Sequence, residues 1–104
     1  MTDKEFKLGL GVYLIYQLES CRNGYGLTKA LAWKFDIIDS VDFTESLVKE
    51  ELVSKQVING LEHFTITMKG KEFIKILLHD NFYQEMLQRY PLQKEFIDGL
   101  FRLA

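Results

Sequence analysis

The residues able to do chemistry are few in this chain and stand apart from one another. Its two histidines, His63 and His79, have no cysteine or carboxylate at the short intervals by which zinc sites gather ligands, so no metal site is expected. The single cysteine, Cys21, has Arg22 beside it, and a neighbouring cation favours the thiolate. Without a histidine placed to take its proton, Cys21 reads as a spectator. Asp36, Asp39 and Asp42 could line up at a cation, but loop acidity and helix capping explain these carboxylates better. No nucleophile elbow, phosphate-binding loop or pair of catalytic carboxylates occurs. The expectation is therefore a protein that is not an enzyme, takes no cofactor and works by binding a macromolecule. Tyr25 and Trp33 could stack on bases or a ligand; the reading favoured here is that they anchor the packing of the helix that carries them.

Those residues must be positioned by elements whose periodicity is legible. Phe6, Leu10, Tyr13, Leu14 and Leu18 recur at helical spacing, and Leu8, Val12, Ile15 and Tyr16 fill a second face, which predicts a helix over residues 4–19. A buried strand over residues 12–18 is the competing reading. A helix apolar nearly all round is central or shared with another subunit, and Gly9 and Gly11 would let another backbone approach. Residues 21–26 (CRNGYG) are turn chemistry. A second helix is expected from Leu27 to about Phe35, with Leu27, Leu31 and Phe35 on one face. Asp42 and Glu45 have the spacing of a capping box, opening a third helix near Phe43 that runs to Glu50.

The period then becomes two. Residues 52–58, the pair Asn59-Gly60 and residues 61–67 read as a β-hairpin, because both central residues of the favoured two-residue turn need positive φ. A two-residue turn sets Ile58 opposite Leu61, Val57 opposite Glu62 and Lys55 opposite Phe64. It assigns Val53, Val57, Phe64 and Ile66 to the core face, with Ile58, Leu61 and His63 on the other. Thr67 is placed to cap a helix from Met68 to about His79, with Phe73, Ile74, Leu77 and Leu78 as its buried side. Asp80-Asn81 marks a break and a new cap, residues 82–89 follow, and Pro91 suits the first turn of a last helix.

At 104 residues and 47% apolar, 27% charged composition, the chain suits one folded domain. Its apolar run at residues 8–18 is shorter than the roughly 20 residues a bilayer span needs and lacks a small-residue cleavage site, so neither a membrane segment nor a signal peptide is expected. One cysteine cannot form an internal disulfide; a reducing, cytoplasmic location is the default. The net charge of −2 hides a strong unevenness. Residues 1–35 carry +2, residues 36–51 carry −5, residues 52–79 carry +2 and residues 80–104 carry −1.

The order helix, helix, helix, hairpin, helix is that of a winged helix-turn-helix: mainly α with a small antiparallel β-hairpin and additional C-terminal helices. Three strings resemble the PadR and MarR groups of transcriptional regulators. NGYGLTKAL at 23–31 is similar to the turn and second helix of PadR-type proteins, SLVKEELV at 46–53 to the recognition helix running into the first wing strand, and FTITMKGKEF at 64–73 to the second wing strand and the next helix. The resemblance covers about residues 6–78. It implies a winged-helix core over residues 4–79, with residues 80–104 as C-terminal helices that build a homodimer. It also implies a third helix that enters the DNA major groove in transcriptional regulation. Candidate interface residues are then Phe82, Tyr83, Met86, Leu87, Phe96, Ile97, Leu100 and Phe101; the alternative is that these pack back on the first helix.

DNA readout needs donors for phosphates and base edges. Arg22, Lys29, Lys34, Thr44, Ser46, Lys49 and Lys55 are the candidate contacts, with Lys69, Lys71 and Lys75 near the wing base. Against them stand Asp36, Asp39, Asp42, Glu45, Glu50 and Glu51 in and around the third helix, where Lys49 is the one cation. The expected wing tip carries Ile58 and Leu61 where DNA-reading wings carry cations. Two functions follow: a homodimeric DNA-binding regulator, or a winged-helix module that binds another protein through its acidic third helix and apolar wing tip.

Overall fold

In the computed structural model of the chain, residues 1–38 and 40–102 are described, Ser40 and Val41 by their backbone alone. Among these, eight elements follow in the order α1 (Asp3–Gln17), α2 (Gly24–Phe35), α3 (Ser40–Lys49), β1 (Val53–Ile58), β2 (Leu61–Ile66), α4 (Met68–His79), α5 (Phe82–Arg89) and α6 (Lys94–Arg102). Short 3₁₀ turns occupy Glu19–Cys21 and Pro91–Gln93. The architecture is mainly helical with one two-stranded antiparallel sheet.

α1 is the axis of the molecule. Thr2 caps it by accepting the Glu5 N–H at 3.1 Å, and Asp3 and Glu5 place negative charge at its positive end. Nine of its residues are buried, among them the unbroken run Leu8 to Ile15, so every side of it is covered. Gly9 leaves room for Leu77 and Phe82, and Gly11 for Phe43 and Leu47. Side chains, not a second backbone, therefore fill the space opened by the two glycines. The helix ends at Leu18, whose backbone is extended. There Arg22 takes over: its guanidinium donates to the carbonyls of Ile15 and Tyr16, both at 3.0 Å, satisfying two acceptors a helix C-terminus leaves open.

The second helix begins three residues earlier than periodicity suggested. Asn23 Oδ1 accepts the Gly26 N–H at 2.8 Å, so the Gly-Tyr-Gly stretch lies inside the helix. Leu27, Leu31 and Phe35 are buried. α3 likewise starts at Ser40, which puts Asp42 in its first turn and leaves no capping box between Asp42 and Glu45. Its last turn closes through Leu52 N–H to Leu47 O at 3.1 Å, with Glu51 left-handed at φ 62°.

The hairpin has the expected register: Ile58 opposite Leu61, Val57 opposite Glu62, Lys55 opposite Phe64. Asn59 and Gly60 both have positive φ, 54° and 80°, as a turn matched to strand twist demands. Val53 and Phe64 are buried, but Val57, expected in the core, is 60% exposed. It lies on the core-facing side of the sheet, yet beyond the point where helices stand behind it. β2 is joined on its outer edge by the segment before α2, through the Asn23–His63 bridge and Phe64 N–H to Arg22 O at 2.8 Å.

Thr67 links the sheet to α4. Its hydroxyl accepts the Gly70 N–H at 3.0 Å and donates toward the Glu51 carbonyl at 2.6 Å. Thr67→Ala removes a helix cap, which typically costs about 1 kcal/mol, and a tie to the α3 end as well; chemical denaturation should show a loss of roughly 1–2 kcal/mol. A loss within error would mean that the cap contributes nothing. In α4, Ile74 and Leu77 are buried and Phe73 partly so, while Leu78, expected inside, is 41% exposed.

The C-terminal helices fold back on the body. Asn81, expected as a side-chain cap for α5, makes no such bond and instead turns the chain at φ 60°. Phe82 meets Phe6 at 5.6 Å and Tyr13 at 6.1 Å. Tyr90 meets Phe35 at 5.0 Å, and Phe101 meets Tyr13 at 4.9 Å. Arg89 sits over the Phe6 ring and pairs with Asp3 at 2.6 Å, which holds the Asp3 carboxyl below the usual carboxylate range. Pro91 opens a 3₁₀ turn and not the last α-helix itself.

Candidate macromolecule-binding surface

The seven candidate nucleic-acid contacts lie in the Arg22 turn, α2, α3 and β1, and most are already engaged. Arg22 is spent on the end of α1. Cys21 is buried; burial pushes the thiol up, the reverse of activation. Thr44 is 7% exposed and cannot reach a base edge. The Ser46 hydroxyl donates to the Asp42 carbonyl at 2.8 Å within α3. Lys55 pairs across the hairpin with Glu62 at 3.1 Å. Lys34 lies over the Phe96 ring and Lys29 over the Trp33 ring, the latter at 4.7 Å from the centroid.

Lys49 is exposed, one turn from Glu45 on the same face of α3, and Asp42 is exposed one turn before that. The outward face of α3 therefore carries two carboxylates and one ammonium. Near its N-terminal end, a groove of about 390 Å³ against α1 mixes Lys4 and Lys7 with Asp3 and Asp42. Of the further lysines, Lys75 pairs with Glu72 at 3.3 Å, while Lys69 and Lys71 are exposed on α4. The possible cation site at Asp36, Asp39 and Asp42 rests on a residue, Asp39, outside those described. Asp36 itself is the left-handed residue that ends α2. Among the described residues no three His, Cys, Asp or Glu side chains gather to hold a metal ion, and no helix is long and apolar enough to cross a membrane.

Of the eight candidate dimer residues, Phe82, Met86, Ile97 and Leu100 are at most 2% exposed within the single chain. They pack inside one chain and have no surface left for a second copy. Tyr83, Leu87, Phe96 and Phe101 are partly buried against the same core. Gln17 on α1 closes this contact by donating to the Leu100 carbonyl at 2.9 Å.

What remains open is apolar and lies elsewhere. The hairpin tip exposes Val57, Ile58 and Leu61, at 60%, 45% and 39%. On α2, Tyr25 and Trp33 are 72% and 73% exposed; neither anchors the helix, contrary to the packing role expected for them. The signal was present in the spacing. Leu27, Leu31 and Phe35 already occupy one face, so residues 25, 29 and 33 must lie on the opposite one.

No protein-family model, curated protein or solved structure matches the chain.

Proposed function

We propose that the chain is a winged-helix domain that binds another protein, through the hairpin tip and the outward face of α3, and does not read DNA bases. The winged-helix assignment is supported by the element order and by the short third pairing that the Arg22–Asn23 segment adds to the hairpin. The observation that carries the protein-binding reading is the tip itself. A wing that follows a phosphate backbone needs free cations. Here the tip exposes Val57, Ile58 and Leu61, and the nearest lysine, Lys55, is held by Glu62. The outward face of α3 carries Asp42 and Glu45, which would repel phosphates. Exposed apolar side chains rimmed by polar ones are a common mark of protein contact sites.

The test has two arms. Titration of labelled mixed-sequence duplex DNA at low salt should give no binding, because the hairpin tip offers no free cation to a phosphate. Binding that weakens steeply with salt and is lost in Lys49→Glu would establish DNA recognition instead. A photo-crosslinker at position 58, introduced in the source cell, should yield a discrete heterologous protein adduct. The same group at position 79, exposed on α4, should not. Equal, diffuse labelling from both positions would refute the tip as a docking site.

A further inference from the structure

The outer face of α2 has a pattern the proposed function does not use. Tyr25, Lys29 and Trp33 stand one helical turn apart in sequence, opposite the buried Leu27, Leu31 and Phe35. The stripe is about 12 Å long at 1.5 Å per residue. Thr28 and Ala32, both half-buried, flank it with short side chains, and Lys29 stands between the two rings, over the indole. α2 contains no carboxylate, only Lys29 and Lys34 as charges. The two rings are large apolar surfaces left open on the outer side of a helix whose inner side is buried. Trp and Tyr are also the side chains most enriched among those that carry binding energy at protein interfaces.

We infer that this face is a docking site for an acidic amphipathic helix of another protein, whose apolar side chains pack against the exposed rings of Tyr25 and Trp33 while its carboxylates meet Lys29 between them. The charge pattern chooses this occupant over a second copy. A two-fold contact of α2 with α2 centred on the stripe would set Lys29 against Lys29, while the carboxylate that ends the helix, Asp36, lies about two turns away. It also disfavours nucleic acid. A duplex carries one negative charge per roughly 1.7 Å of axis, and one reaching beyond α2 toward α3 would meet Asp36, Asp42 and Glu45. A single helix, about 10 Å across, can stay within the stripe. Lys29 already lies over the indole, so an incoming carboxylate finds an ammonium held at the aromatic ring.

Trp33 is the only tryptophan, so its emission reports this face alone. The probe is an alanine-based helical peptide with Leu and Glu along one face, compared with the same peptide bearing Gln for Glu. The acidic peptide should move the emission to shorter wavelength saturably. The Gln peptide should bind about tenfold more weakly or worse, the loss of one good charge-assisted contact, and Lys29→Glu should do the same without changing the melting temperature. Tyr25→Ala, also on the exposed face, should weaken binding with the fold intact. An equal response to both peptides, no response to either, or a stronger response to single-stranded or duplex DNA would overturn the assignment. This surface is separate from the hairpin tip, so a negative result here leaves the crosslinking outcome at position 58 untouched, and the reverse.

Discussion

Gly26→Ala should lose roughly 3 kcal/mol of stability or more, the upper end of what overpacking costs, with melting lowered by about 12 °C or more. The reason is geometric. A Cβ at residue 26 would lie 1.7 Å from the Ser20 carbonyl oxygen and 2.9 Å from its carbon. The obstacle is backbone, so no rotamer change relieves it. The turn that holds this carbonyl is itself fixed by Cys21 N–H to Leu18 O and Arg22 N–H to Glu19 O, both at 3.0 Å. On the other side, the Gly26 N–H is engaged by Asn23. Relief would require moving α2 away from the turn, which would also strain the Asn23–His63 bridge. Gly99→Ala is the matched control. Nothing lies within 4 Å of its added Cβ, so α6 should gain about 1 kcal/mol from the better helix former. Equal melting temperatures for the two variants would show that the close approach at Gly26 does not exist.

Phe82→Ala should cost about 3–5 kcal/mol, as expected for emptying a fully buried aromatic site. Phe82 is 0% exposed, meets Phe6 and Tyr13, and reaches to within 3.3 Å of where a Gly9 Cβ would be. The cavity would open beside α1, at the centre of the molecule, where neighbours have least freedom to collapse inward. The loss should be the same at all protein concentrations, because the ring is covered by its own chain. A deficit that shrinks as concentration rises would place Phe82 at an interface between copies and support the dimer implied by the family resemblance. A deficit below about 1 kcal/mol would argue that α5 is loosely attached.

The two substitutions bear on function because α1, α2 and the hairpin are held by the same few contacts. Arg22 ties the end of α1, lends its carbonyl to Phe64 and precedes the Asn23 cap of α2. A residue first read as a phosphate contact is thus the joint that sets where the exposed stripe of α2 and the hairpin tip stand relative to the core.

Local order was legible from residue types alone. Asn59-Gly60 dictated the turn and, with it, the register of every pair in the hairpin, because a two-residue turn with two positive φ angles leaves no choice. Thr67 marked the start of α4, and the spacing of Leu27, Leu31 and Phe35 marked the inner face of α2. Helix starts at Gly24 and Ser40 were missed, since glycine and serine read as turn formers until a cap or a packed neighbour overrides that preference. What pattern could not show was where the core ends. Val57 has the right parity to be buried, but burial requires something behind the strand, and only the placement of the helices leaves it bare. The same holds in reverse for Phe82, Met86, Ile97 and Leu100. Their apolar character demanded a partner, and tertiary structure supplied it from the core of the same chain. Periodicity determines which side chains share a face; whether that face meets protein or water is a long-range matter, settled by the distance over which the chain returns on itself.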